Sequence, residues 1–351
     1  MKNEVLLFSD LHVHCHKRSN ERLEDCLKAL NWVFDTAEQR QISSILFGGD
    51  FFHDRQKIDV YTYQRSFEVL SNRLKSNKFK LYLLLGNHDL WFNDKTCVTS
   101  VTPLSALPGV TIISEPERLE INGCMWDFIP FTHNPIETLN TLKEKPGPQY
   151  ALGHISLDGA ILHGSQYSDV SIEHDGDMVT VGASIFNHYQ NVFLGHYHAE
   201  QKVNDKVEYI GSPLQLSFGE AFQTKHIIAF DGKTGKKTYI ENEFSPKHLV
   251  IRADETEKYD LENNFVQIKI DDISATDLVS MKKEILSSNK LGSLEIKQIH
   301  RKMEQHVIQD AKAILYKGDE MLGKYIDEVG SSNLDSDKLL LIGKKICQTA
   351  S

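Results

Sequence analysis

Val5-Leu6-Leu7-Phe8-Ser9-Asp10-Leu11-His12 is an apolar run of strand length that ends in an acid and a histidine. The same arrangement recurs along the chain. Ile45-Leu46-Phe47 leads to Gly49-Asp50, and Leu81-Tyr82-Leu83-Leu84-Leu85 leads to Gly86-Asn87-His88-Asp89. Tyr150-Ala151-Leu152 leads to Gly153-His154, and Val192-Phe193-Leu194 to Gly195-His196-Tyr197-His198. Short continuous apolar runs read as buried strands. A ligand-type residue after each one gathers oxygen and nitrogen donors at one edge of a sheet, which is how a pair of divalent metals is held.

Working outward, the stretches between the runs have helical period. Leu23, Cys26, Leu27, Leu30, Val33 and Phe34 predict a helix between the first two strands, and Tyr63, Phe67, Leu70 and Leu74 another before the third. A β-α-β-α-β start implies a parallel sheet with right-handed crossovers and ligands at the carboxyl ends of its strands. Leu119-Glu120-Ile121, Met125–Ile129, Val207–Ile210 and His226–Phe230 follow at shorter spacing and read as antiparallel strands, with Asn122-Gly123 and Asp231-Gly232 as turns. The expectation for residues 1–238 is a two-sheet α/β sandwich.

After about Tyr239 the character changes. Phe265–Ile270 and Leu294–Ile299 alternate, with Leu278, Met281, Ile285 and Leu286 on a short amphipathic helix between them. This predicts a small β-α-β domain over 239–300, of about 60 residues. In 301–351, Asp335-Ser336 can cap a helix bearing Leu339, Leu340, Ile342 and Ile346. That apolar face calls for a cover, either its own domain or a partner.

The bulk figures set outer limits. With 351 residues, 40% hydrophobic and 25% charged, the chain has the composition of a globular protein with one large domain and one or two small ones. No stretch approaches the roughly 20 apolar residues of a membrane span, and no signal-peptide pattern precedes the first strand, so a cytoplasmic location is expected. Cys15, Cys26, Cys97, Cys124 and Cys347 are odd in number and scattered, which argues against a disulfide framework or zinc ribbon. The net charge of −10 argues against wholesale coating of nucleic acid. It leaves room for a DNA enzyme, because bound cations reverse the field around metal-binding carboxylates.

Taken singly, the ligand-type residues say little. Asp10 and His12 are two apart, so from a strand end both side chains leave on one side and reach one cation. Asp50 follows Gly48-Gly49, where missing side chains permit a tight turn, and it is the candidate to bridge two metals. Asn87 after Gly is commonly a turn former, yet its neutral carbonyl oxygen suits a site already rich in carboxylates. His154 and His196 sit in matching Leu-Gly-His settings, and His198 shares a face with His196. Among sixteen histidines any one is more often surface or core. The ordered series at strand ends is what makes chance improbable.

As a set, these motifs resemble the calcineurin-like metallophosphoesterase superfamily, whose pattern is D-x-H, G-D, G-N-H-[DE], G-H and G-H-x-H. The resemblance covers about residues 4–235. It implies that Asp10, His12, Asp50 and His198 hold one metal, and Asp50, Asn87, His154 and His196 the other. An all-O/N donor set suits Mn²⁺, with Fe, Zn or Mg as alternatives. Two such ions about 3.5–4 Å apart activate water and clamp phosphate oxygens for in-line attack. His88 would stabilise charge or protonate the departing oxygen. Asp89 would orient a nearby histidine, and Tyr197 would point away into the core.

Three features narrow the substrate. Gly49-Asp50-Phe51-Phe52-His53 resembles the G-D-[LI]-F-[DH] form of the SbcD family of DNA-repair nucleases, which implies that His53 positions a DNA phosphate. Tyr209–Ala221 resembles that family's Y-x-G-S-P-x-x-L-S-F-x-E-A segment. The small domain and tail are similar to the family layout, in which a cap guides DNA and a C-terminal segment grips an ATPase. The resemblance therefore implies a manganese-dependent exonuclease and single-strand endonuclease for DNA repair and recombination. Its partner would be a coiled-coil ATPase of the SbcC type, and homodimer contacts would come from residues 60–110. Phage-encoded members of the family have about this length. Phosphoprotein phosphatases fit poorly, because His53, Asp54 and Arg55 put G-D-x-x-D-R-G out of register. A stand-alone phosphodiesterase for small phosphoesters and a metal-free scaffold remain the alternatives. Arg55, Lys57, Arg65, Arg73, Lys75, Lys78 and Lys80 make one region basic, which is either a solvated helix face or a phosphate-contacting strip led by Arg55 and Lys57.

Overall fold

Strand β1 (Glu4–Phe8) is buried from Val5 onward, and α1 (Asn20–Arg40) returns the chain to β2 (Ser44–Phe47). Helix α2 (Val60–Leu74) then leads to β3 (Lys80–Leu84). Both pairings, β1 with β2 and β2 with β3, are parallel, as the alternation of apolar run and helical period predicts. α2 is started by Asp59, whose carboxylate accepts the Thr62 amide at 2.8 Å. The computed structural model describes residues 3–14, 20–92, 95–143, 149–160, 179–271 and 273–298. The expected tail helix near Asp335-Ser336, with Cys15 and Cys347, lies outside the described residues.

The chain continues through a ribbon of β4 (Leu90–Phe92) and β5 (Lys95–Thr99), then β6 (Val110–Ile113), β7 (Glu117–Ile121) and β8 (Cys124–Ile129). Next come α3 (Pro135–Lys143), β9 (Tyr150–His154), β10 (Asn191–Gly195), β11 (Gln201–Lys202) and β12 (Val207–Tyr209). β13 (His226–Asp231) and β14 (Lys236–Glu241) finish the first of two six-stranded sheets, β14-β13-β1-β2-β3-β6 and β11-β12-β10-β9-β8-β7. Val5, Leu7, Leu46, Leu84, Trp126, Phe128, Leu152, Phe193 and Phe230 form the core between their facing sides. The helices α1 and α2 bury the other face of the first sheet with Leu23, Leu30, Phe34 and Leu70. This is the expected α/β sandwich.

The Asn122-Gly123 turn has both residues at positive φ (52° and 79°), the twist a two-residue hairpin needs between β7 and β8. One expectation needs correction. β12 runs parallel to β10 and is antiparallel only to the two-residue β11. β11 absorbs the reversal at the sheet edge, so the chain re-enters beside β10 in the same direction.

A further three-stranded sheet, β15 (His248–Arg252), β16 (Phe265–Ile270) and β17 (Ser293–Gln298), is parallel throughout, with α4 (Ala275–Ser288) crossing from β16 to β17. The β-α-β reading missed β15, a short buried run. Its amide at His248 bonds Gln215 Oε1 (2.5 Å), and the buried Arg22 guanidinium bonds the Gln215 carbonyl (2.6 Å) while lying over the Phe265 ring. Residues Met1–Ile299 thereby form one compact unit.

Candidate metal centre

The residues that end β1, β2, β9 and β10 meet at one edge of the sandwich. Asp10, His12, Asp50 and His196 all have positive φ, at 52°, 46°, 62° and 99°. Left-handed backbone costs a non-glycine residue of order 1–3 kcal/mol and clusters at functional sites. Here it turns each side chain across the sheet edge instead of along the strand. Gly86 serves the same end differently, because a Cβ there would overlap the Asp50 carboxylate.

Among the described residues three donor groups result. One joins His12 with His53 and His88, and the other two hold the expected ligands, Asp10 with His12 and His198, and Asp50 with His154 and His196. Asp50 Oδ2 stands between them, 3.5 Å from His12 Nε2 and 3.4 Å from His154 Nε2. Asn87 Oδ1 lies 3.0 Å from His154 Nε2 and 3.1 Å from His196 Nδ1. All seven residues expected from the sequence are brought together. The His196 amide also donates to both Asp10 oxygens, at 3.0 and 3.1 Å.

The geometry suits cations. His154 Nδ1 donates to the Gly48 carbonyl (2.8 Å), which leaves Nε2 as a lone pair aimed at two further acceptors, Asp50 Oδ2 and Asn87 Oδ1. On the other side, the His12 and His198 Nε2 atoms face each other at 3.1 Å. Convergent acceptors repel unless positive charge joins them. Without a metal the proton takes that part: burial opposes it, but Asp50 draws His154 up to about 9. Burial alone would raise Asp50, yet His154, His88 and His12 outweigh it and hold that carboxyl well below the usual range. Burial and the neighbouring His154 push His196 down to about 3, and burial raises Asp10. The residues present fit a pair of hard or borderline divalent ions, since no thiolate enters either group.

Around this centre, His88 donates its amide to Asp50 Oδ1 (2.8 Å), and its Nδ1 meets the His53 carbonyl at 2.6 Å. The exposed His53 ring stacks over His88 at 5.8 Å. Asp89 differs from expectation. Its carboxylate accepts no imidazole but the main-chain amides of Asp50 (2.9 Å), Phe51 (3.0 Å) and Gly86 (2.9 Å). It therefore holds two loops rather than a ring, and burial together with Asp50 pushes it up to about 7. Arg55, half-buried, and Lys57, exposed, follow on the segment before α2 and stand outside both donor groups. Arg65, Arg73 and Lys78 pair instead with Glu24, Asp35 and Glu38 of α1, at 2.7, 2.6 and 2.9 Å. Tyr197 is buried, its ring against Tyr209.

Sequence reasoning missed three groups. His14 stacks on His53 at 4.4 Å, and the two-residue spacing from His12 was the available signal. Glu220 and Lys225 reach His198 from the Tyr209–Ala221 segment and its sequel, where only a substrate-class signal had been read.

Comparison with known proteins agrees with this geometry. Exonuclease subunit 1 of Enterobacteria phage T4 is 25% identical over 219 residues, 62% of this chain and 61% of that protein. The SbcD subunit of the SbcCD nuclease of Escherichia coli (strain K12) is 25% identical over 282 residues, 68% of this chain and 67% of the relative. The chain thus spans about three fifths of the phage relative's length and two thirds of the bacterial one's. Residues 4–200, more than half of the chain and the part that holds all seven donors, match the calcineurin-like phosphoesterase description. The chain belongs to the calcineurin-like phosphoesterase family, metal-dependent hydrolases built around two metal ions.

Proposed function

We propose that this chain is the nuclease component of a DNA-processing complex, hydrolysing DNA phosphodiesters with two manganese ions. The observation that carries the reading is the meeting of two donor groups at Asp50, with His88 beside them. Asp10, His12, Asp50 and His198 would hold one ion, and Asp50, Asn87, His154 and His196 the other. When bound, such a pair supplies a nucleophile from water at neutral pH and offsets charge on the phosphate.

The chain's own residues do the rest. As the new P–O bond forms and the opposite one breaks, His88 acts as an imidazolium: its Nδ1–H stays on the His53 carbonyl, and Nε2–H offsets the charge or passes its proton to the departing oxygen, leaving the ring neutral. The exposed His53 ring positions a flanking phosphate. Asp89 keeps the Asp50 and Gly86 loops in register through their amides. Arg55 and Lys57 contact the DNA backbone.

The activities proposed are a double-strand exonuclease and a single-strand endonuclease in repair or recombination. Residues 1–238 do the chemistry, 239–300 guide DNA, and 301–351 dock a coiled-coil ATPase of the SbcC type. The names of the two relatives support this reading. Exposed Val60, Tyr61, Trp91, Phe92 and Val98 are apolar groups that a homodimer through residues 60–110 would cover.

The test sets labelled duplex and single-stranded DNA against bis-p-nitrophenyl phosphate and cyclic nucleotides, with and without Mn²⁺. Mn²⁺-dependent cleavage of DNA, lost in Asn87→Ala, is expected. Turnover of cyclic nucleotides with intact DNA would assign the chain to small phosphodiesters instead.

A further inference from the structure

The Gly211–Lys225 segment carries a buried ion pair with no part in the chemistry above. Glu220, on the short turn Phe218–Glu220, divides its two oxygens. Oε1 meets His198 Nδ1 at 3.1 Å. Oε2 accepts from Ser212 Oγ (3.2 Å), the Leu216 amide (3.2 Å) and Lys225 Nζ (2.6 Å). Lys225 Nζ also donates to the His198 carbonyl (2.7 Å), Ser212 Oγ (3.0 Å) and Gln223 Oε1 (3.1 Å). Both side chains of the pair are at most 5% exposed, so neither charge is left for solvent to satisfy.

This arrangement decides which nitrogen of His198 carries the proton. A carboxylate against Nδ1 accepts only from Nδ1–H, so in the neutral ring that a metal requires Nε2 is the lone pair, and Nε2 is the atom that faces His12 Nε2. Lys225 occupies the other carboxylate oxygen and grips the His198 main chain, fixing ring and backbone from one support. The support is itself anchored. Gln215 Nε2 donates to the Gln223 carbonyl (2.8 Å), Gln215 Oε1 holds the His248 amide, and the Phe218 ring packs edge-on against His248 at 5.0 Å.

The two sides of the centre differ in this respect. His154 is steadied by a main-chain carbonyl, that of Gly48, which no side-chain substitution removes. His198 depends on a side chain. A defect in the brace should therefore reach one ion and spare the other.

We propose that Glu220 is a positioning residue of the metal centre: seated by Lys225, it fixes the tautomer and ring angle of His198, so that Nε2 joins Asp10 and His12 around one divalent cation. The inference rests on the metal-centre reading given above, and the experiment separates the two. Partners of this kind typically affect metal affinity about 10–100-fold.

Mn²⁺ is titrated calorimetrically into the full chain and into two double variants, neither of which leaves a buried charge unpaired. Glu220→Met with Lys225→Met removes the acceptor. Glu220→Gln with Lys225→Met keeps an oxygen for Nδ1–H. In the Met/Met protein one of two binding steps should weaken about 10–100-fold and the other stay at wild-type strength, with the Gln/Met protein recovering most of the loss. In the metal-free wild type, at a pH high enough for the ring to be neutral, ¹⁵N spectra should show His198, identified by its absence in His198→Gln, as the Nδ1–H tautomer. Two undiminished steps in the Met/Met protein, equal weakening of both, no recovery with Gln, or an Nε2–H tautomer each overturn the role of Glu220. A wild type that binds no Mn²⁺ overturns the centre itself.

Discussion

The Nδ1 nitrogen of His88 donates to the main-chain carbonyl oxygen of His53 across 2.6 Å, which leaves Nε2 as the working nitrogen of the ring. The ring lies edge-on to His12 at 4.7 Å, beside the donors without being one of the seven. His88→Gln should therefore keep both Mn²⁺ ions in a calorimetric titration and lose cleavage about 10²–10⁴-fold, the usual worth of an acid–base group. Asp50→Ala should lose metal and turnover together. His53→Ala keeps the main-chain acceptor and should lose less than His88→Gln. A His88→Gln enzyme within about threefold of wild type would remove His88 from the chemistry.

Metal should also stabilise the fold. Asp50 Oδ2 and Asn87 Oδ1 converge within 3.4 Å of His154 Nε2, acceptors that a divalent cation joins more strongly than the single proton it replaces. At a free Mn²⁺ concentration 100 times the dissociation constant, each occupied site adds about 2.7 kcal/mol to unfolding. Urea denaturation with Mn²⁺ and then with excess EDTA measures this. Asp50→Ala should show no Mn²⁺ response, and a wild type equally indifferent to both additives contradicts the reading.

Much of this centre was legible because strand ends and ligand types are both local. The runs before Asp10, Asp50 and Asn87 placed their ends at one edge of the first sheet once parallel pairing was assumed, and those before His154 and His196 did the same in the second. Less local features were not. The positive φ of Asp10, His12, Asp50 and His196 is imposed by the loops they share, since isolated residues of these types favour negative φ. Asp89 sits next to His88 in sequence, which suggested an imidazole partner, yet two of its three partners come from a loop 38 and 39 residues away. Glu220 reaches His198 across 22 residues, a pairing that spacing does not encode. β15 escaped because its partner strand begins only after a polar stretch.

A buried ion pair outside the centre should govern stability alone. Arg118 forks onto Asp127 at 2.6 and 2.9 Å, and Tyr189 donates to the same carboxylate at 2.8 Å. Asp127 is fully buried, so Arg118→Met leaves its charge uncompensated at a cost of about 3–5 kcal/mol. Adding Asp127→Asn should recover a large part of that loss in urea denaturation. A single variant within about 1 kcal/mol of wild type would show that Asp127 has found another cation or taken up a proton.

Two arginines of the basic region have acidic partners on α1. Arg65 and Arg73 answer Glu24 and Asp35 on α1, so their charge is largely spent inside the protein. Charge reversal at Arg55 and Lys57 should weaken DNA binding and lower the slope of log K against log salt by about one for each phosphate no longer neutralised. Arg65→Gln should leave that slope unchanged. Fluorescence anisotropy over a salt series reads both. Equal slopes in the Arg55/Lys57 variant and wild type would return the whole region to an ordinary solvated face.

His226 gives the fold a pH dependence with a definite sign. It lies buried at the start of β13, edge-on to Tyr239 at 5.0 Å, with Nδ1 3.5 Å from Glu200. Burial first, and then the adjacent Lys225 ammonium, lower it from 6.5 to about 4. Between those values the unfolded chain binds the proton and the native state does not. The contribution is therefore intact above about pH 6.5 and is lost as pH falls toward about 4, at roughly 1.4 kcal/mol per pH unit. From pH 6.5 to 5 the wild type should lose about 2 kcal/mol more than His226→Gln, compared by urea denaturation at each pH. Parallel stability curves for the two proteins would mean that Glu200 pairs with the protonated ring strongly enough to cancel the effect of burial.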